Sequence, residues 1–233
     1  MKTLQDKIAI VTGSATETGQ AVALELARAG AAVCVCGPVE ETNERIAALI
    51  TQQGGRALPI TVDLSREEDV ARLVQQTLQA FERVDVLVLI SAVWGGGAIH
   101  EHAVQVWDRV MALNLRAPFL LTRAVLPHMR EQGNGHIINI GSESGLQTYD
   151  HDGAYGISLH ALNALMAEIQ VENEAAGVRV DNLCTGLVVS AGSPEGLYAQ
   201  DVAEWVLWLA TRRAGLVSPA PILVRSQQTL KPA

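Results

Sequence analysis

Lys7-Ile8-Ala9-Ile10-Val11-Thr12-Gly13-Ser14-Ala15-Thr16-Glu17-Thr18-Gly19 joins a short, nearly all-apolar run to a glycine-bearing turn and then to an amphipathic stretch. A strand with one wet face would alternate polar and apolar residues. This run does not, so it reads as a strand covered on both faces. The turn opens a helix at Thr18. The helix dipole and its first unpaired N–H groups then face the strand's carboxyl end, the arrangement that holds a dinucleotide pyrophosphate. The same rhythm continues outward. Strands are expected at Lys7–Thr12, Ala32–Cys36, Ala57–Val62, Val84–Leu89, His136–Ile140, Val178–Leu183 and Ile222–Arg225. Helices are expected near Thr18–Ala29, Glu40–Gln53, Arg66–Phe81, Ala103–Glu131, Ala154–Ala176 and Asp201–Thr211, with stop signals at Gly30, Gly54, Gly133 and Gly177. Strand–helix alternation of this kind implies α/β architecture: a doubly wound parallel sheet of about seven strands with helices on both faces.

The 233 residues suit one such domain, spanning 1–233. No repeat of solenoid period is visible. Twenty-five acidic against 17 basic residues give a net charge of −8, and the basic residues are scattered, which argues against a nucleic-acid partner. The opening Met1-Lys2-Thr3-Leu4-Gln5-Asp6-Lys7 is neither a signal peptide nor a spanning helix. The longest apolar run, Val86 to Trp94, is too short to cross a bilayer, so a cytoplasmic protein without membrane partners is expected. Cys34, Cys36 and Cys184 lie in apolar runs without metal-ligand spacing and read as buried, reduced thiols, with no metal site. Only about 17 residues separate Leu183 from Asp201, too few for a helical lid over a pocket, so any substrate lid around 186–200 is short or absent.

The turn Thr12 to Gly19 resembles the Thr-Gly-x-x-x-Gly-x-Gly turn of the short-chain dehydrogenase/reductase family, a Rossmann-type fold; Gly13 and Gly19 match and Glu17 takes the middle glycine's slot. The resemblance runs on to about Arg225. It implies that Gly13, Ser14, Thr18 and Gly19 lie along a dinucleotide, NAD or NADP, with Asp63 and Leu64 on its adenine side. It places Gly37 and Pro38 where the family carries an acid or base for the adenosine ribose, and Leu89-Ile90-Ser91-Ala92 in place of Asn-Asn-Ala-Gly, with Ser91 kept on the cofactor side. Asn114 matches the helical asparagine of the family's proton relay. Ile137-Ile138-Asn139-Ile140-Gly141-Ser142-Glu143-Ser144-Gly145 resembles the strand that delivers the catalytic serine, and Tyr155 follows Ser142 by the family's 13 residues. Asn182 to Val188 resembles the loop over the nicotinamide, so Gly186 and Val188 join the cofactor set, with Thr185 in the usual proline's place and Ser190 near the family's threonine.

In such enzymes a lysine four residues after the tyrosine, one turn along the same helix face, lowers the phenol's pKa. Here that position is Leu159. A phenol of pKa about 10 with an apolar neighbour is a poor base near neutrality. His160 lies about 100° further round the helix and does not inherit the role. Glu17 adds bulk and negative charge where a pyrophosphate would approach, unless its side chain turns to water. These departures favour a scaffold with impaired or lost hydride transfer and weak NAD(P) binding, serving as a small-molecule binder or a partner subunit. Two alternatives stay open: an oxidoreductase on a small carbonyl or alcohol using Ser142, Tyr155 and Asn114, and non-redox chemistry by the Ser142/Tyr155 pair. The resemblance further implies a homodimer or homotetramer packed through the long helices Ala103–Glu131 and Ala154–Ala176.

Overall fold

The computed structural model describes residues 3–90, 93–190, 192, 193, 195–213, 216, 218 and 220–226. In chain order the first half forms β1 (Ile8–Val11), α1 (Glu17–Arg28), β2 (Ala32–Gly37), α2 (Glu40–Gln52), β3 (Arg56–Thr61), α3 (Glu67–Phe81) and β4 (Val86–Leu89). The second half forms α4 (Val104–Met111), α5 (Ala117–Glu131), β5 (Gly135–Ser142), α6 (Gly153–Asn173), β6 (Val178–Thr185), β7 (Val188–Val189), β8 (Leu197–Tyr198), α7 (Ala199–Thr211) and β9 (Ile222–Val224). Seven strands build one parallel sheet in the order β3-β2-β1-β4-β5-β6-β9.

Period-two alternation sorts the strand side chains onto two cores. Ile10, Cys34, Cys36, Leu87 and Ile137 pack with Leu73 of α3, Leu121 of α5 and Leu162 of α6. Ala9, Val33, Val35, Val88 and Ile138 pack with Leu26 of α1, Ile46 of α2 and Val206 of α7. The sheet is therefore doubly wound, and its inner strands read as nearly continuous apolar runs because both of their faces are dry, whereas the edge strand β3 is largely exposed. The cysteine side chains are unpaired and buried, and burial pushes the Cys34 thiol up to about 12.

Strand order reverses between β1 and β4, which opens a crevice at their carboxyl ends. Thr12 ties that edge: its hydroxyl lies 3.3 Å from the carbonyls of Val88 and Ile90 and accepts from the Ile90 N–H at 2.7 Å. At the opposite edge the Asp85 carboxylate accepts from the Ile8 N–H and is gripped by Arg83 and Lys7.

Two segments differ from the sequence reading. The stretch Ala103–Glu131 is not one helix: a π-turn at Ala112–Arg116 separates α4 from α5. The wider turn holds Asn114, fully buried, which accepts from the Val93 N–H at 2.8 Å and donates to the Val93 carbonyl and the Ser158 hydroxyl at 3.1 Å. The segment after β6, read as a plain loop, carries a two-strand parallel ladder, with Val188 opposite Leu197 and Val189 opposite Tyr198. Asp201 accepts from the Tyr198 N–H at 2.8 Å, so α7 begins two residues before the expected Asp201.

His136, near the amino end of β5, sets a pH dependence. Its Nε2 is 2.7 Å from Asp181 of β6, whose other oxygen is held by Arg212. Burial holds the imidazole down to about 4 from an ordinary 6.5, outweighing the pull of Asp181. Between those values the unfolded chain binds a proton that the fold refuses. The contribution is full above about 6.5 and is lost as pH falls towards about 4. Urea unfolding across this window is expected to show stability falling with a slope approaching about 1.4 kcal/mol per pH unit from this group, and the slope should be shallower in a His136→Gln variant.

Candidate functional site

The turn after β1 is tight enough to demand its glycines. Gly13 has φ +72°, and a Cβ there would lie 2.4 Å from the Ile90 carbonyl; a Cβ on Gly19 would lie 2.1 Å from the Gly13 carbonyl. Thr16 caps α1, accepting from the Gly19 N–H at 3.0 Å and donating to the Gly13 carbonyl at 2.8 Å. Glu17, an exposed acid in the helix's first turn, suits the positive end of the dipole, and its Oε1 accepts a 3.1 Å hydrogen bond from Ser190 just after β7. A carboxylate of the chain thus lies at the helix terminus, bridged to the segment on the far side of the crevice.

Ser14 turns the other way. It is 1% exposed, and its hydroxyl donates to the Asn43 Oδ1 of α2 at 2.5 Å. Asn43 in turn donates to the carbonyls of Gly37 and Ile60 at 3.0 and 3.2 Å. A Cβ at Gly37 would sit 2.2 Å from the Ser14 hydroxyl, so this polar knot fills the space beside the end of β2. Asp63 is exposed and closes a local turn by accepting from the Ser65 N–H at 3.0 Å, while Leu64 is buried in the core.

On the other side of the crevice β5 ends at Ser142, whose hydroxyl accepts from the Ser144 N–H at 3.3 Å and caps a single 3-10 turn, Glu143–Gly145. Glu143 reaches Arg225 at 2.6 Å. Gly145, in that turn, packs against α6, where an added Cβ would meet Asn163 at 2.8 Å and Leu159 at 3.1 Å. Tyr155 is half-buried on α6, its ring 4.8 Å from that of Trp94 at an interplanar angle of 55°. Burial pushes its phenol upward; hydrogen bonding with Ser142 pulls it down, and the Asp152 charge adds to the rise. The net direction is up. Among the described residues no cation opposes it, and Leu159, one turn on, is 1% exposed in the core beneath α6. His160 is exposed and its Nδ1 pairs with the Gly156 carbonyl of its own helix at 2.9 Å, while His151 is exposed beside Asp150.

One cleft of about 470 Å³ gathers part of the expected set: Ser142 and Tyr155 from the catalytic motif, Thr18 from the turn, and Gly186 and Val188 from the loop after β6. Gly13 and Gly19 shape the turn without lining the cleft, and Ser14, Asp63, Leu64 and Asn114 are engaged elsewhere, as described. Ser91 lies outside the described residues. Sequence reasoning passed over Trp94, Glu143 and Leu187, which also line the cleft. An aromatic residue directly before Gly95-Gly96-Gly97 was the available signal for Trp94. The acid beside Ser142 was the signal for Glu143; nothing marked Leu187.

The family model for short chain dehydrogenase matches residues 7–195. An uncharacterized oxidoreductase of Thermotoga maritima is 32% identical over 209 residues, covering 90% of this chain and 82% of the relative. One from Staphylococcus saprophyticus is 32% identical over 217 residues, covering 89% and 92%. Among solved structures, a metagenomic short-chain oxidoreductase in complex with NADP superposes with a TM-score of 0.86 at 34% identity, covering 95% of this chain and 98% of that one. A 3-ketoacyl-ACP reductase from Sinorhizobium meliloti gives 0.86 at 26% identity, covering 93% and 96%. The chain belongs to the short-chain dehydrogenase family. Within it, the raised phenol is directly measurable. Ultraviolet titration should place the Tyr155 ionisation above the ordinary value of about 10, with that component missing in Tyr155→Phe; a midpoint at or below 10 would mean a cation reaches the ring.

Proposed function

We propose that this chain keeps the short-chain dehydrogenase scaffold as a small-molecule-binding protein in which NAD(P)-dependent hydride transfer is impaired or lost. The observation that carries this reading is Leu159, buried where proton transfer needs a cation within reach of Tyr155. A neutral phenol of raised pKa donates a hydrogen bond and holds its proton near neutrality. Beside Ser142 it would orient a ligand oxygen rather than drive its oxidation or reduction.

NAD and NADP do not fit the residues present. Glu17, bridged to Ser190, puts negative charge at the one helix terminus that would otherwise stabilise a pyrophosphate. The Ser14–Asn43–Gly37 knot offers the adenosine ribose neither acid nor base. A second reading, an NAD(P)-dependent oxidoreductase on a small carbonyl or alcohol, draws support from the surviving Ser142–Tyr155 contact and from the NADP bound by the metagenomic relative. In the first reading the protein is a cytoplasmic homodimer or homotetramer whose cleft, rather than its redox chemistry, is what is used.

Calorimetric titration with NADH and NADPH separates the two. The wild type is expected to show no saturable binding up to millimolar concentration, and Glu17→Gly is expected to bind at least tenfold more tightly. Micromolar binding by the wild type would overturn the proposal and support the oxidoreductase.

A further inference from the structure

Helix α7 buries one face and leaves the other exposed. Val202, Ala203, Val206, Leu209 and Ala210 lie in the core, and the helix packs sideways against α1. Asp201, Glu204, Trp205 and Trp208 point the other way. At 100° per residue they share an arc of about 100°, and they line a groove of about 350 Å³. Trp205 and Trp208 are 37% and 52% exposed, and their rings meet edge to face with centroids 5.6 Å apart at an interplanar angle of 78°. Adjacent aromatic side chains left in water and bordered by charge are the composition of a contact surface.

This pair is held in place. Arg212, which ends α7, lies over the Trp208 ring at 5.7 Å while its guanidinium is bound to the buried Asp181 of β6. Arg179 donates to the carbonyls of Arg212 and Arg213 at 3.2 and 3.4 Å, so the chain leaving the helix is fixed as well. A surface ordered in advance loses little freedom on association.

Charge then selects the occupant. Glu204 and Arg213 are exposed, and neither has an ion-pair partner among the described residues. Glu204 stands four residues before Trp208 and Arg213 five after it. A two-fold axis at Trp208, with the two helices antiparallel, therefore sets Glu204 of one copy opposite Arg213 of the other and repeats the pair by symmetry. A partner surface of one sign would leave one of these residues unmatched, whereas a second copy of the chain matches both. On the flank of α7 away from α1 the sheet stops at β9, an edge that a neighbouring copy would cover together with the helix.

We propose that α7 carries a two-fold interface between copies of this chain, with Trp205 and Trp208 at its centre and a Glu204–Arg213 pair between opposite copies at each end. The face is separate from α4, α5 and α6. A chain that uses α7 alone forms a dimer, and one that also packs through the other helices forms a tetramer with two kinds of two-fold contact. The inference is independent of what the cleft binds.

Light scattering on the full chain as it elutes from a sizing column gives the molar mass that tests this. At micromolar concentration the wild type is expected to be a dimer or tetramer, and Trp208→Ser is expected at half the wild-type mass. Glu204→Arg and Arg213→Glu, each alone, set like charges against one another across the axis and should also halve the mass. Mixed in equal amounts, these two variants should recover the wild-type mass, because every charge then meets its opposite. The mixture decides the matter even if Trp208→Ser folds poorly, since both exchanged side chains are exposed. A monomeric wild type, a folded Trp208→Ser of unchanged mass, or charge variants that fail to reassemble on mixing would overturn the α7 interface. Nucleotide binding in the cleft is a separate measurement, so the two proposals fail separately.

Discussion

The approach of Gly13 to the Ile90 carbonyl is the contact on which the rest of the crevice depends. Two neighbouring parallel strands, β1 and β4, must part company at their carboxyl ends, one chain turning into α1 and the other crossing over towards α4. They stay in register up to the last residue because Thr12 bonds to both Val88 and Ile90, and they separate immediately beyond because a backbone without a side chain fits against Ile90. The direction of α1, the position of its capped first turn and the place where Glu17 meets Ser190 all follow from that parting. A side chain at Gly13 would push β4 and α1 apart and would do so under a backbone conformation that L-residues avoid.

The two walls of the crevice share one chemical tendency. On the turn side, hydrogen-bonding capacity that a phosphate would use is satisfied within the chain, by Thr16 at the Gly19 N–H and by a carboxylate at the dipole. On the β5 and α6 side, Leu159 puts hydrocarbon one turn from the phenol, and the charge that acts on Tyr155 is that of Asp152. Each feature alone would weaken a redox site. Both lie on a backbone frame around Ser142 and Tyr155 that the fold holds independently of them, so the shape of the crevice and its chemistry rest on different residues.

Much of this was legible in the residues. Dry strands such as Ala32–Gly37 announce themselves by uninterrupted apolar runs, and the glycine stops after the helices mark where each turns back, so the sheet and its seven strands follow from pattern alone. The π-turn around Asn114 was not legible, because its cause is a single buried amide bonding to Val93, a contact 21 residues away that no helical periodicity encodes. The β7–β8 ladder was missed for a related reason: two residues per strand are too few for alternation to show. At the site, Ser142 and Tyr155 could be found because they sit at fixed spacing on regular elements. Trp94 and Glu143 were passed over because neither belongs to a motif of fixed spacing, although a tryptophan before three glycines and an acid directly after Ser142 were there to be read. Ser14 shows the converse, a residue in a motif position whose side chain the neighbouring helix has claimed.

Leu159 also bears on stability. Its side chain does not occupy a solvent-facing place that a lysine could simply refill: it is sealed under the 3-10 turn at Gly145 and packed among the leucines and methionines of the core. The position is therefore held by packing: a shorter side chain would open a cavity under the turn that Ser142 caps, at a cost of about 2–5 kcal/mol, so one side chain serves the core and the wall of the cleft together.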